Sequence, residues 1–239
     1  MSQNNPIQEL VEMRASHLDI LHGLYWPKHD SGGWETAHQY PVTQDYFDNL
    51  IKIVDDSSNQ HQKNSENSRQ VMVQAGGNCG QYVKQYAKYF KTVYTFEPDP
   101  LNFVCLTLNS PDNVVKSQSC VGNEKKFIAL EPFKHPSHDY HNGGIHVSGQ
   151  GTLPTTIIDE LDLPACDLIQ LDIEGYEYFA LLGAIKTIEK YHPVIVVEWF
   201  EAWAARYGVT SDMFTQFFAN LGYKQVWTMQ GDLVFTHTV

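Results

Sequence analysis

Three glycines lie close together in the stretch QAGGNCG, which runs from Gln74 to Gly80. The apolar residues Val71–Ala75 predict a short buried strand before this loop, and a helical pattern begins at Gln81. Glycines at a strand-to-helix turn let the backbone approach a ligand closely, and the helix amino end offers unpaired N–H groups. The loop therefore predicts a site for a nucleotide-like ligand, although tight turns without a ligand use the same residues.

A carboxylate follows the next predicted strand, Thr92–Phe96. This strand ends in FEPDP, which places Glu97 about 20 residues beyond the glycine loop. A carboxylate at that position can accept hydrogen bonds from both ribose hydroxyls of a nucleotide or an adenosyl cofactor. The spacing of Gly76, Gly77 and Gly80 differs from the G-x-G-x-x-G that holds a pyrophosphate, which disfavours a nicotinamide dinucleotide.

Three more carboxylates follow two buried strands. Asp172 and Glu174 lie at the end of one strand, and Glu198 lies at the end of the next. Strand ends of an open parallel sheet meet at the edge where ligands bind, so we predict that these side chains form the catalytic cluster. Two alternatives stay open: Glu174 accepts hydrogen bonds at the start of a helix, or the cluster binds a magnesium ion. Our prediction includes no metal.

The elements that position these residues alternate between strands and helices from Arg69 onward. This rhythm predicts an α/β fold of the Rossmann-like type, with a mostly parallel sheet covered on both faces and an antiparallel hairpin at the carboxyl end. The predicted strands are Val71–Ala75, Thr92–Phe96, Asn113–Val121, Lys126–Leu130, Leu168–Asp172, Pro193–Trp199, Lys224–Thr228 and Leu233–Thr238. The predicted helices are Gln81–Phe90, Pro100–Leu108, Thr155–Leu161, Tyr176–Tyr191 and Ser211–Leu221.

Residues 1–68 have a different character, and we predict that they form an extension to a domain spanning 69–239. Apolar residues at helical spacing predict a helix over Pro6–Leu24 and a second helix beginning at Thr43. The stretch Asp55–Ser68 has no aliphatic residue and predicts a polar linker.

Composition excludes several classes of protein. The 239 residues carry 28 acidic and 16 basic side chains, a net charge of −12, which disfavours binding to nucleic acid. No apolar run approaches the roughly 20 residues that span a bilayer, and the amino end has no secretion signal, so we expect a cytoplasmic protein without membrane contact. Four cysteines without C-x-x-C spacing predict reduced thiols rather than a zinc site or disulfides.

Four blocks in this order resemble the FkbM-type methyltransferases: QAGGNCGQY, VYTFEPDPLNF, LIQLDIEGYEYFALLGA and PVIVVEW. The resemblance begins at Val71 and runs to the carboxyl end. It implies a seven-stranded sheet of the class I methyltransferase type with a C-terminal hairpin, and S-adenosylmethionine as the cofactor. It also implies transfer of a methyl group to a hydroxyl of a saccharide or a small natural product.

The resemblance assigns roles to individual positions. Glu97 would hold the ribose diol, and Asp172 would lie near the methionine or the transferred methyl. The remaining predicted cofactor contacts are Gln74, Ala75, Gly76, Gly77, Asn78, Gly80, Pro98, Cys120 and Val121. The family normally has an acidic residue where this chain has Gln74, which motivates an alternative: an inactive methyltransferase fold that serves as an interaction module.

Two further groups of residues have open interpretations. One polar loop contains four histidines, His135, His138, His141 and His146. We expect these side chains to be solvated, or one of them to act as a base or contact the acceptor. A metal site is disfavoured. Aromatic residues in two segments either pack against the domain or stack on a sugar ring of a glycan acceptor. These residues are Tyr25, Trp26, Trp34 and Tyr40, and then Trp199, Phe200, Trp203 and Tyr207.

Overall fold

The computed structural model describes residues 17–28, 30, 43–60, 69–133, 143–229 and 231–238. The described strands are β1 Leu18–Leu21, β2 Leu24–Pro27, β3 Val71–Ala75, β4 Thr92–Phe96, β5 Val114–Ser117, β6 Cys120–Val121, β7 Phe127–Pro132, β8 Ile145–Thr156, β9 Leu168–Leu171, β10 Val194–Glu198, β11 Tyr223–Met229 and β12 Asp232–His237. The α-helices are α1 Gln44–Gln60, α2 Gln81–Tyr86, α3 Pro100–Asn109, α4 Glu177–Leu182, α5 Ile185–Tyr191, α6 Glu201–Ala204 and α7 Ser211–Asn220. None of these helices is long and apolar enough to cross a membrane.

The central sheet has seven strands in the order β11-β12-β10-β9-β3-β4-β5. Only β12 runs antiparallel to its two neighbours, β10 and β11. The predicted α/β fold with a mostly parallel sheet is therefore confirmed. From β3 the chain moves outward through β4 to β5, and then returns to place β9 on the other side of β3. This change of direction opens a crevice at the carboxyl ends of β3 and β9, where ligands bind in such sheets.

Two apolar layers cover the sheet because successive residues of a strand point to opposite faces. One face packs against α1 and α2 through Tyr46, Phe47, Leu50, Val83 and Tyr86. The other face packs against α4, α5 and α7, with Ala180, Leu181, Ile188, Phe214, Phe217 and Phe218 in the contact. All four cysteines are buried as thiols.

The amino-terminal predictions are partly wrong. Residues 18–24 of the predicted helix Pro6–Leu24 belong to the hairpin of β1 and β2, while residues 6–16 lie outside the described part. His22 and Gly23 have φ of 50° and 77°, and two such residues make the tight turn that joins antiparallel strands. The predicted linker is wrong at its start, because α1 continues to Gln60 and buries Ser57 and Ser58.

Three predictions within the domain also need correction. The predicted strand Asn113–Val121 is divided into β5 and β6. The predicted helix Thr155–Leu161 begins as the end of β8, a strand missing from the prediction, and only Ile158–Glu160 form a 3-10 turn. The predicted helix Tyr176–Tyr191 is interrupted after Leu182. Gly183 packs so closely there that a Cβ would lie 2.1 Å from the carbonyl oxygen of Gly122.

Candidate active site

A cavity of about 490 Å³ opens at the carboxyl ends of the central strands. Every predicted site residue except Gly80 lines it: Gln74, Ala75, Gly76, Gly77, Asn78, Glu97, Pro98, Cys120, Val121, Asp172, Glu174 and Glu198. We call Gly76, Gly77, Asn78 and Glu97 the glycine side. The acidic side is Asp172, Glu174, Glu198 and Asp232.

Gly76 is required by its surroundings. Its φ is 87°, and a Cβ there would lie only 1.8 Å from the carbonyl oxygen of Asp172. The N–H groups of Gly76 and Gly77 both donate to the carbonyl of Phe96, at 3.0 Å each. The loop thus crosses directly over the β3–β9 crevice, where Gly76 and Gly77 present backbone to the cavity.

Gly80 has a different task. It precedes α2 with a φ of 86°, and a Cβ there would meet Leu106 at 3.1 Å. It therefore shapes the turn into the helix and packs against α3, away from the cavity. Its predicted cofactor contact finds no support in this position.

Glu97 is buried and already bonded to the loop that it faces. One carboxylate oxygen accepts from the N–H of Asn78 at 2.7 Å, and the other accepts from the N–H of Asp99 at 2.9 Å. Burial raises the pKa of Glu97 to about 7, while these backbone hydrogen bonds lower it. The bonds hold the carboxylate at the cavity wall in one orientation.

Both polar atoms of the Gln74 side-chain amide are hydrogen-bonded within the protein. Its carbonyl oxygen accepts from the Thr95 hydroxyl, and its amide nitrogen donates to the Gly76 carbonyl at 2.8 Å. The side chain that departs from the family pattern therefore braces the glycine loop.

Sequence reasoning missed Gln170, which pairs directly with Gln74 across β9 and β3. Gln170 is 5% exposed and lines the cavity, yet its Oε1 has no hydrogen-bond partner. A buried acceptor without a donor is costly, so this atom is suited to a ligand N–H or O–H. The signal in the sequence is a lone glutamine inside the apolar run LIQL.

The register of the neighbouring strands brings the carboxyls of the acidic side together. Glu198 pairs with Asp232 across β10 and β12, and Asp172 directly follows Leu171, the partner of Val197. The three side chains therefore lie at the same edge of the sheet, on one face of the neighbouring strands β9, β10 and β12. Asp172 and Glu198 are hydrogen-bonded to each other, which requires a shared proton.

Burial raises the pKa of every carboxyl on this side. The pKa of Glu174 rises to about 9 and that of Asp232 to about 7, mainly by burial and further by the nearby Asp172. Burial also raises the pKa of Asp172, against the hydrogen bond with Glu198, and it raises the pKa of Glu198, which Asp172 raises further. None of the described residues that line the cavity is Lys, Arg or His; Arg206 alone, from outside the lining, lowers the pKa of Glu174.

The helix-start role considered for Glu174 belongs to another residue. Glu177 accepts from the N–H groups of Ile173 and Gly175, at 2.9 and 3.0 Å. Glu174 instead has a φ of 60°, and its Oε2 is buried without a partner. Its carboxyl is therefore available to a ligand.

Asp232 was also missed, because nothing in the turn MQGD signals a site. Its Oδ2 accepts from the hydroxyl of Tyr46 at 2.8 Å. Tyr46 belongs to α1, so the amino-terminal extension orients a carboxyl of the cavity. Trp26 of β2 also lines the cavity, with its indole N–H bonded to Asp30 at 2.7 Å.

The other aromatic and histidine predictions divide between cavity and packing. Phe200 and Trp203 line the cavity, whereas Trp199 stacks on Phe214 at 3.7 Å in the core. Tyr25 and Tyr207 do not line it, and Trp34, Tyr40, His135, His138 and His141 lie outside the described residues. His146 stacks on Phe133 at 4.6 Å. Within the described ranges, no cluster of His, Cys, Asp or Glu has the arrangement to hold a metal ion.

The fold and the cavity define an α/β protein with an open, mostly parallel sheet and a cavity at its switch point, the usual place for a ligand in such sheets. The chain belongs to the methyltransferase FkbM domain family, whose model matches residues 70–224. It is 29% identical over 111 residues to the hexuronic acid methyltransferase AglP of Haloferax volcanii, a match covering 44% of this chain and 46% of AglP. The chain thus matches less than half the length of this curated relative.

The chain is also similar to solved structures. Monomeric WbdD superimposes with a TM-score of 0.51 at 9% identity, over 95% of this chain and 48% of WbdD. The FkbM methyltransferase of Methylobacillus flagellatus KT gives a TM-score of 0.45 at 16% identity, over 70% of this chain and 43% of that protein.

Proposed function

We propose that the protein is an S-adenosylmethionine-dependent methyltransferase that methylates a hydroxyl of a saccharide or a small natural product. The observation that carries the proposal is the convergence of Gly76, Glu97 and Asp172 around one cavity at the switch point. Membership of the FkbM family and the hexuronic acid methyltransferase among its relatives support the same activity.

The residues fit this cofactor by their chemistry. The glycine side presents backbone in place of side chains, and Glu97 offers carboxylate oxygens to a ribose diol. Cys120 and Val121 supply an apolar wall for the adenine. When bound, the cofactor supplies an electrophilic methyl group.

The chain's own task is to align the acceptor, exclude water and take up a proton. A carboxyl must be ionised to act as a base. Because Glu174 has a pKa near 9, it is mostly neutral at pH 7. Asp172 shares a proton with Glu198, which leaves Asp172 as the base when Glu198 holds that proton. Phe200 and Trp203 form an apolar wall that limits water beside these carboxyls.

Calorimetric titration with S-adenosylhomocysteine tests the cofactor without requiring an acceptor. We expect one site of micromolar affinity. A folded sample that shows no binding would contradict the proposal and favour the alternative, an interaction module that keeps the fold. The neutral Gln74, with both ends of its amide engaged, is the observation behind that alternative. We retain the expectation of a cytoplasmic protein that does not bind nucleic acid.

A further inference from the structure

The two sides of the cavity lie far apart along the sheet. Glu97 follows β4 and Asp232 begins β12, and the order β12-β10-β9-β3-β4 puts four strand spacings between them. At about 4.8 Å per spacing, these carboxyls are separated by roughly 19 Å. A nucleoside held by Glu97 and the glycine loop would therefore not reach Glu198 and Asp232, which are free to contact a second ligand on the acidic side.

The charge at that end is one-sided. Five carboxyls line the cavity, at Glu97, Asp172, Glu174, Glu198 and Asp232, with no basic side chain among the described lining residues. A single sulfonium beside Asp172 offsets one negative charge. Glu198 shares a proton with Asp172, whereas Asp232 lies two strands further away, so the charge of Asp232 is left to a different group.

Unused hydrogen-bond acceptors give an independent indication. Gln170 is buried with its Oε1 unpartnered, and the Oε2 of Glu174 is likewise without a donor. Both residues line the cavity. These two unpartnered oxygens suit a ligand that offers N–H or O–H groups.

An aromatic pair stands beside the same carboxyls. A Cβ added to Gly231 would touch Phe200 at 3.2 Å and the Glu198 side chain at 3.9 Å, so Phe200 adjoins the turn before Asp232. Phe200 packs on Trp203 with ring centroids 4.4 Å apart. Aromatic faces stack on the apolar side of sugar rings and attract cations.

We propose that the acceptor is an amino sugar whose ammonium group is held by Glu198 and Asp232, with its ring against Phe200 and Trp203. This inference rests on the proposed methyltransferase function and narrows its substrate class. A uronate would place a third carboxylate beside Glu198 and Asp232. Tyr46 is a positioning residue, because its hydroxyl fixes the carboxyl of Asp232 at 2.8 Å.

Three sugars that differ mainly in charge provide the test: glucosamine, glucose and glucuronic acid. Each is titrated by ligand-observed NMR against the protein saturated with S-adenosylhomocysteine. We expect glucosamine to bind at least tenfold more tightly than glucose, and glucuronic acid to bind more weakly than glucose. Asp232→Asn should weaken glucosamine binding by about tenfold and leave the affinity for glucose unchanged. Glu198→Gln should have a smaller effect, because the Asp172–Glu198 pair carries one negative charge in either case, and the surface variant Asp112→Asn should match the wild type.

Glucosamine binding no tighter than glucose, or glucuronic acid binding most tightly, would overturn the amino-sugar assignment alone. Equal losses for glucosamine and glucose in a folded Asp232→Asn variant would overturn the role of Asp232. Absence of S-adenosylhomocysteine binding would overturn the methyltransferase proposal, and this inference with it.

Discussion

The two sides of the cavity are stabilised in different ways. On the glycine side, the carboxylate of Glu97 accepts two backbone N–H groups, and the loop backbone is braced by Phe96 and Gln74. On the acidic side, four carboxyls crowd together with one hydroxyl donor from Tyr46 and no basic neighbour in the described lining. The glycine side is satisfied before a ligand arrives, whereas the acidic side is not.

This contrast separates stability from function. The hydrogen bond from the N–H of Asn78 to Glu97 holds the glycine loop against the wall of the cavity. The carboxyls of Glu174, Glu198 and Asp232 have raised pKa values because burial disfavours their charge. Unfavourable burial of carboxyls persists where the surrounding fold imposes it, and it is usually found at ligand sites.

The largest effect is expected at Gly76, where the two sides touch. Gly76→Ala forces a Cβ against the backbone of Asp172, so we expect a loss of about 4 kcal/mol or more in the free energy of unfolding. Gly208→Ala is the matched control: its φ of 74° is similar, but a Cβ there has nothing within 4 Å. That variant should lose about 1 kcal/mol from backbone strain alone. Denaturant unfolding measures both, and equal losses would show that close approach is unimportant.

The next largest effect concerns turnover. Asp172→Asn removes the proposed base on the acidic side, so the methylation rate with a confirmed acceptor should fall by about 10²- to 10⁴-fold. The free energy of unfolding should change far less, because the side chain opens onto the cavity. Asp112→Asn, on an exposed turn, controls for loss of a negative charge. A rate within twofold of the wild type would remove Asp172 from the mechanism.

Two carboxylates that flank Pro98 test the glycine side. Glu97→Ala should weaken S-adenosylhomocysteine binding by about 1.5–3 kcal/mol through loss of the proposed ribose hydrogen bonds. Asp99 instead caps α3 by accepting from Leu101 and Asn102, at 2.9 Å each. Asp99→Ala should cost about 1 kcal/mol of stability and little affinity. Calorimetry and unfolding on both variants separate the two roles, and a Glu97→Ala variant with unchanged affinity would refute the ribose assignment.

The same contrast explains what the sequence could predict. The glycine side is local in sequence: a strand, a glycine turn and a carboxylate at the end of the next strand are visible as QAGGNCG and FEPDP. Strand ends in a parallel sheet converge, so Asp172 and Glu198 were also predictable. Each of these signals is a short pattern with one structural solution.

Asp232 and Gln170 had no comparable pattern. Asp232 enters the cavity only because β12 inserts antiparallel beside β10, and its partner Tyr46 is 186 residues away in the chain. Gln170 becomes conspicuous only when its neighbours leave Oε1 without a donor. The β1–β2 hairpin was mistaken for a helix because leucines three residues apart suit either structure until the turn at His22 and Gly23 is known.

The smallest effect is a gain in stability. Glu174 titrates near 4.5 when unfolded and near 9 when folded, so between these pH values the folded protein holds a proton that the unfolded chain has lost. The free energy of unfolding must therefore fall as pH rises through this window. Linkage at pH 8 would amount to roughly 5 kcal/mol in a fully dry site, and solvent in the cavity reduces it. We therefore expect Glu174→Gln, which removes the titrating group, to stabilise the protein by about 1–2 kcal/mol at pH 8 and to have little effect at pH 4.5. Urea unfolding at both pH values measures the difference. A variant that is equally stabilised at both would mean that relief of backbone strain or packing, and not the buried charge, limits the acidic side.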